Sequence, residues 1–171
     1  MLFGEKEMSK IKIIFVDVDG VFNSETYYEK RAESGDVRPY PLSEFDPEAV
    51  KQYMRIIQET GAKTVISSSW RHTDGLRSIL KNVGFRGSTL DFEITPYLGT
   101  IRGLEIKKYM KDYLDKHPED KIESYCIIDD DIDMLYEQKD NFVNCDAYYG
   151  GLTKEKADEV INILKSRKGF Y

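Results

Sequence analysis

Short apolar runs alternate along the chain with longer stretches in which apolar residues recur every three or four positions. Four of the short runs, at 10–18, 63–68, 122–129 and 141–146, are rich in Val, Ile or Phe and have no helical period. This pattern is typical of strands that are buried on both faces of a sheet. A fifth, weaker run at 87–98 predicts an edge strand or a hairpin.

The longer stretches predict amphipathic helices, which alternate with the strands. The clearest of them has Asp46 as a candidate N-cap, Pro47 at the first helical position and Gly61 as a stop signal. The predicted helices are 43–61, 74–82, 102–116 and 153–168. Strands that alternate with helices predict an α/β fold of three layers, in which a Rossmann-like parallel sheet has helices on both faces.

Residues 23–46 interrupt this alternation. The segment is polar and aromatic, with Tyr27, Tyr28 and Tyr40 among its residues and no apolar period. We therefore interpret 23–46 as an irregular insertion. The whole chain, 1–171, has a length that suits a single domain.

The composition narrows the class of protein. Hydrophobic residues make up 40% of the chain and charged residues 33%, and no apolar run reaches the roughly 18 residues of a membrane span. Residues 1–10 lack the apolar stretch of a signal peptide. Cys126 and Cys145 each lie in an apolar strand segment, which favours buried free thiols in a reducing, cytoplasmic compartment. Two histidines and no CxxC motif make a zinc site an unfavourable interpretation.

The net charge of −6 is concentrated in two short acidic clusters, and the rest of the chain is balanced without them. Overall acidity gives no support for nonspecific nucleic-acid binding, although it leaves room for a local basic groove. A bound cation would offset part of the clustered charge. The two clusters contain Asp17, Asp19, Asp129, Asp130, Asp131 and Asp133.

Both clusters follow predicted buried strands. Asp17 and Asp19 come after the first strand, and Asp129 and Asp130 come after the fourth. One Asp at a strand end is commonly a turn or cap residue, but clustered carboxylates repel one another unless a cation or proton intervenes. The carboxyl ends of parallel strands meet at one edge of a sheet, where ligands bind. The sequence therefore predicts a Mg²⁺ site at this edge.

Four motifs in order resemble those of the haloacid dehalogenase (HAD) superfamily of phosphotransferases. DVDGV (17–21) resembles the first, Asp-x-Asp motif, and the serines of VISSSWR (65–71) resemble the second. IRGLEI (101–106) resembles the third, with Arg102 in the position of the commoner Lys, and IIDDDID (127–133) resembles the acidic fourth. SSSWR, RGLEI, IIDDD and GLT further resemble small HAD domains of nucleic-acid repair proteins of the polynucleotide phosphatase type.

The resemblance implies phosphoryl transfer through an aspartyl phosphate. Asp17 would be the nucleophile, and Asp19 would act as general acid and then as general base. Ser68 would donate a hydrogen bond to the phosphoryl group, and Arg102 would neutralise its charge. Mg²⁺ would be held by Asp17, Asp129 and Asp130 and by Asp19, through its backbone carbonyl.

Further roles are implied for residues around this core. Asp133, together with Asp130, would position the water molecules of the metal or the side chain of Arg102. Ser69, Arg71 and Gly20 are candidate substrate contacts, although Arg71 equally suits a surface arginine stacked on Trp70. Two assignments stay open: the cation is Arg102 or Lys107, and the phosphoryl contact is Ser67, Ser68 or Ser69.

The predicted function is that of a Mg²⁺-dependent phosphohydrolase. No gap between the motifs would hold a large cap domain, so the site is expected to be open. An open site suits a bulky phosphorylated substrate such as a polynucleotide 3′-phosphate end. The alternatives are a nucleotidase or small-metabolite phosphatase and, outside enzymes, a receiver-like or degenerate phosphate-binding module. The sequence predicts no membrane partner and leaves the oligomeric state open.

Overall fold

A computed structural model of the protein describes residues 8–166 and 169–170. In this part of the chain the strands form one parallel sheet in the order β3-β2-β1-β4-β5. The α/β, three-layer, Rossmann-like class predicted from the sequence is confirmed, and no large cap domain occurs among the described residues. The strands are β1 (Ser9–Val16), β2 (Lys63–Ile66), β3 (Glu93–Ile94), β4 (Asp120–Asp129) and β5 (Phe142–Asn144).

Five α-helices surround the sheet in the described residues, one more than the sequence predicts. Asp46 caps the second of them and Gly61 ends it, as expected. The prediction of a closing helix to residue 168 includes 167–168, which lie outside the described residues. The helices are α1 (Glu25–Ser34), α2 (Pro47–Thr60), α3 (Leu76–Val83), α4 (Arg102–Lys116) and α5 (Lys154–Lys165).

Alternate residues of β1 point into two separate cores, because successive side chains of a strand face opposite sides of a sheet. Ile14 and Val16 pack with apolar residues of α2, α3 and α5. Ile13 and Phe15 pack on the other face with residues of α4. Helices thus cover both faces, which leaves the carboxyl edge of the sheet as the place where the strand ends are accessible.

The interpretation of 23–46 as irregular is wrong for residues 25–34, which form α1. The Ser24 side chain caps this helix by accepting from the backbone N–H of Tyr27, and Gly35 ends it with a left-handed φ of 70°. Tyr27 is the only buried residue of α1. The helix lacks an apolar stripe, and for that reason hydrophobic periodicity does not reveal it.

The weak run at 87–98 contains an edge strand, as predicted, but only Glu93–Ile94 pairs with β2. Residues Gly87–Leu90 before it form a 3-10 turn. No helix in the described part of the chain is both long enough and apolar enough to cross a membrane. Cys126 and Cys145 are buried free thiols, as expected.

Candidate active site

Asp17 and Asp129 extend two neighbouring strands and so meet at the carboxyl edge of the sheet. Val16 pairs with Ile128, and the backbone N–H of Asp17 donates to the carbonyl of Ile128 at 2.9 Å. Both side chains are buried: Asp17 is 8% exposed and Asp129 only 1%. One oxygen each of Asp17, Asp129 and Asp130 lies within 4.8 Å of the others. The parallel register therefore brings together three of the acids predicted from the two sequence clusters.

Gly20 makes room for Asp130. Its φ is +74°, and a Cβ atom at this position would lie 2.3 Å from Cγ of Asp130. Only glycine meets both conditions without displacing its neighbour. The backbone N–H of Gly20 donates to Oδ1 of Asn23 at 2.8 Å. The structure thus places Gly20, a predicted substrate contact, against an acid of the cluster.

Asp19 is exposed and lies outside the three-carboxylate group. The indole N–H of Trp70 donates to its Oδ2 at 3.1 Å, and the amide of Asn23 donates to its Oδ1 at 3.2 Å. Two donors from different segments fix the direction of this carboxylate. The side chain of Asp19 is therefore separate from the group that could hold a cation.

Arg102 opens α4 and faces the buried acids. Its Nη1 lies 3.8 Å from Oδ1 of Asp17 and 3.8 Å from Oδ2 of Asp129. Neither Nη1 of Arg102 nor Oδ2 of Asp129 has a hydrogen-bond partner among the described residues, although both atoms are buried. Buried polar atoms normally have partners. This gap therefore marks the place where a bound group would complete the site.

Asp133 holds the start of α4. Its Oδ2 accepts from the backbone N–H of Arg102 at 2.9 Å, and its carbonyl accepts from the N–H of Gly103 at 3.2 Å. It thereby satisfies the free donors of the first turn and fixes the point from which the Arg102 side chain extends. Lys107, the competing cation, is instead paired with Glu137 at 2.6 Å on the outer part of α4.

The three serines after β2 have different surroundings. Ser68 is fully buried, its hydroxyl accepts from the N–H of Trp70 at 3.2 Å, and its side chain acts to lower the pKa of Asp17. Ser67 is also buried and lies 3.4 Å from the hydroxyl of Thr95. Ser69 is exposed and borders the cleft beside Asp19. Among these residues, Ser68 has the contact with the predicted nucleophile.

Arg71 is not a surface residue stacked on Trp70, and its ion pair is with a glutamate of α4 and not with the clustered aspartates. Its side chain is 5% exposed, and its Nη1 lies 3.0 Å from Oε2 of Glu105 and donates to Thr95 at 3.0 Å. The guanidinium lies over the ring of Tyr97. Glu105, in turn, accepts from the N–H of Leu98 at 2.9 Å. Arg71 therefore ties the turn after β2 to α4.

The crowding of carboxylates changes their proton affinity. Burial raises the pKa of Asp17, against the hydrogen bond from Ser68 and the charge of Arg102. Burial, and then the neighbouring charge of Asp17, raises the pKa of Asp129 to about 8, and burial raises that of Asp130. The ionised forms are disfavoured because burial and the repulsion between the carboxylates outweigh the positive charge of Arg102. Oxygen ligands of this kind, with one buried oxygen unpaired, fit Mg²⁺.

Sequence reasoning did not identify two residues that organise the site. Asn23 connects Gly20 and Asp19, and Trp70 binds Asp19 through its indole N–H. For Asn23 the signal was present, since an Asn three residues after the glycine of DVDG suits a side chain that closes the turn. For Trp70 no local signal exists, because its partner lies in another segment.

The features above define a class of protein: a Rossmann-like domain with an acidic site at the carboxyl edge of its sheet. Residues 13–157 match the family described as HAD domain in Swiss Army Knife RNA repair proteins, and the chain belongs to this family. The resemblance stated from the motifs is thereby confirmed, and membership supports a HAD-type phosphohydrolase. Comparisons with curated proteins and with solved structures found no match.

Proposed function

We propose that the protein is a Mg²⁺-dependent phosphohydrolase that acts through an aspartyl phosphate on Asp17. The observation that carries this proposal is the buried group of Asp17, Asp129 and Arg102, in which Oδ2 of Asp129 and Nη1 of Arg102 lack partners among the described residues. A site with acids on one side and a guanidinium on the other suits a phosphoryl group together with its cation.

In the first step an oxygen of the Asp17 carboxylate attacks phosphorus and the bond from phosphorus to the leaving oxygen breaks. The backbone N–H of Val18 donates to Oδ1 of Asp17 at 2.8 Å and helps to orient the carboxylate, and Ser68 favours its ionised form. The leaving oxygen takes a proton from Asp19, whose direction is set by Trp70 and Asn23. Arg102 stabilises the negative charge of the transferring group.

In the second step a water molecule attacks phosphorus and the bond between phosphorus and Asp17 breaks. Asp19, now ionised, takes a proton from this water, so that inorganic phosphate leaves and both acids return to their starting states. The separation of the Asp19 carboxylate from the three-carboxylate group supports this division of roles, since a carboxylate bound to a metal would be a poor proton carrier.

Asp17, Asp129 and Asp130 would hold Mg²⁺, together with the backbone carbonyl of Asp19. The ion supplies positive charge that offsets the carboxylates and the phosphate, so that an anionic nucleophile can approach an anionic ester. Asp133 supports this group indirectly, because it fixes the first turn of α4 and hence the position of Arg102.

The substrate we propose is a polynucleotide 3′-phosphate end. No cap domain covers the carboxyl edge in the described residues, which supports a bulky substrate. The family is described from RNA repair proteins, which supports the same class. The buried free thiols Cys126 and Cys145 fit a reducing compartment such as the cytoplasm. The competing proposal is a nucleotidase or small-metabolite phosphatase on the same scaffold.

The test is the hydrolysis of p-nitrophenyl phosphate with and without Mg²⁺, by wild type and by Asp17→Asn. We expect activity that requires Mg²⁺ and falls at least about a thousandfold in the variant, because the amide is not a nucleophile. Activity that is unchanged in Asp17→Asn would remove the proposed nucleophile. In a panel of esters, turnover of sugar phosphates or mononucleotides with none of a 3′-phosphorylated oligonucleotide would exclude the proposed substrate.

A further inference from the structure

An open cleft lies beside Asp19, on the side where the leaving group would receive its proton. Its volume is about 350 Å³. The mechanism above uses Asp19, which lines this cleft, and Trp70 only to orient Asp19. The other lining residues are Tyr40, Glu44, Ser69 and Thr73.

Glu44 is held firmly in the wall of this cleft. The hydroxyl of Tyr28 donates to its Oε2 at 2.6 Å, and the hydroxyl of Ser43 donates to its Oε1 at 3.3 Å. Burial raises the pKa of Tyr28, and Glu44 adds to this effect, so the phenol stays a donor. Each carboxylate oxygen accepts more than one hydrogen bond, so both keep capacity for a ligand.

The side chain of Asn23 fixes Glu44 and Asp19 relative to each other. The amide of Asn23 donates to the backbone carbonyl of Glu44 at 3.0 Å and to Oδ1 of Asp19 at 3.2 Å. An acceptor is thus placed in the same cleft as the proton donor. A leaving oxygen that takes its proton from Asp19 would lie at the edge of this cleft. The group on the neighbouring carbon atom of the substrate would then extend into the cleft.

The chemistry of the cleft selects that substituent. A carboxylate accepts a hydrogen bond from a hydroxyl group and repels a second phosphate. The exposed ring of Tyr40, 6.4 Å from that of Trp70, adds an apolar wall to the polar one. The cleft therefore suits a leaving group whose substituent beside the esterified oxygen is an uncharged hydroxyl.

We propose that Glu44 is a specificity-determining residue that selects phosphate esters of vicinal diols, such as a ribose 3′-phosphate with a free 2′-hydroxyl. The inference rests on the proposed function, because it assigns the leaving group to the side of Asp19. A site that hydrogen-bonds a substrate hydroxyl discriminates strongly against an analogue that lacks it.

The test compares two oligonucleotides that differ in one atom of the terminal 3′-phosphorylated residue, which has 2′-OH in one and 2′-H in the other. We expect wild type to prefer the 2′-OH substrate by about tenfold or more in kcat/KM, as for a hydrogen bond to a charged group. In Glu44→Ala the ratio should fall to within about twofold of unity, through loss of activity on the 2′-OH substrate.

Two further variants keep the result interpretable. Glu44→Gln retains the shape and one acceptor oxygen, and we expect an intermediate ratio even if Glu44→Ala folds poorly. Glu29→Ala removes an exposed acid of α1 outside the cleft, and its ratio should equal that of wild type.

Three outcomes would overturn the inference: a wild type that does not discriminate, a ratio that Glu44→Ala and Glu44→Gln leave unchanged, or turnover of p-nitrophenyl phosphate with none of the 2′-OH substrate. Failure of the proposed function looks different, because then p-nitrophenyl phosphate hydrolysis itself is absent or independent of Asp17.

Discussion

The first turn of α4 carries one partner in each of two buried charge groups, and the two groups are built in opposite ways. Glu105 is in direct contact with Arg71 at 3.0 Å and also accepts from Leu98. Arg102 stays 3.8 Å from Asp17 and from Asp129. Both oxygens of Glu105 therefore have partners, whereas Oδ2 of Asp129 has none among the described residues.

The difference distinguishes a charge pair that stabilises the fold from a charge group that can bind a ligand. A buried pair in direct contact holds two segments together, and removal of one partner leaves an uncompensated charge. A buried carboxylate that has an oxygen without a partner, as Asp129 has, keeps capacity for a ligand. Three variants, in order of decreasing expected effect, test whether this contrast is real.

Arg71→Ala should cause the largest loss of stability. It leaves Glu105 buried without its cation, which typically costs about 3–5 kcal/mol in the free energy of unfolding. Arg77→Ala is the matched control, because Arg77 pairs with Asp91 while both are mostly exposed, and it should cost no more than about 1 kcal/mol. Denaturant unfolding measures both. Equal effects of the two variants would show that the Arg71 pair does not hold α4.

Arg102→Ala should instead affect activity. We expect kcat/KM for p-nitrophenyl phosphate to fall about a hundredfold to a thousandfold with Mg²⁺ present, as for the loss of one stabilising donor. Lys107→Ala is the control on the same helix, and its activity should stay within about twofold of wild type, since Lys107 is paired with Glu137. A comparable loss in both variants would contradict the assignment of Arg102 as the cation that faces the acids.

Asp129→Asn should have the smallest and most unusual effect, a gain of stability in EDTA. The pKa of Asp129 is raised to about 8, so the folded state binds more protons than the unfolded state between about pH 4 and pH 8. The contribution of this group to stability therefore falls as pH rises through that range. We expect Asp129→Asn to be more stable than wild type by about 1 kcal/mol or more at pH 8, and the difference to vanish near pH 4.

With Mg²⁺ in place of EDTA, wild type should be more stable than Asp129→Asn at pH 8. The ion stabilises the ionised wild-type site and binds the variant more weakly. Thermal unfolding at both pH values, in EDTA and in Mg²⁺, measures all four differences. A variant that is less stable than wild type in EDTA at pH 8 would mean that the carboxylates do not repel one another in the folded protein.

Sequence reasoning performs best where the signal is local. The predicted bounds of α4, 102–116, agree with the observed helix Arg102–Lys116. The apolar residues that reveal this helix at helical spacing all lie within the segment itself. α1 was missed because it buries only Tyr27. The acids were found because strand ends are visible in the sequence, and a parallel sheet brings such ends together.

The partners of those acids were not predictable in the same way. Arg71 was expected to contact substrate or to stack on Trp70, but it binds Glu105, a residue that belongs to another element. Trp70 donates to Asp19, which also belongs to a distant segment of the chain. Such pairings depend on how the helices pack on the sheet, which a single sequence does not specify.

The central place of β1 in the sheet also bears on the order in which the protein folds. β1 lies between β2, its nearer partner along the chain, and β4, its more distant one. Closing the longer loop costs more entropy, and non-local pairings form late. Asp17 and Asp129 therefore come together only when β4 docks. We expect the repulsion between them to act on the step in which β4 docks on β1 and to leave the pairing of β1 with β2 unaffected.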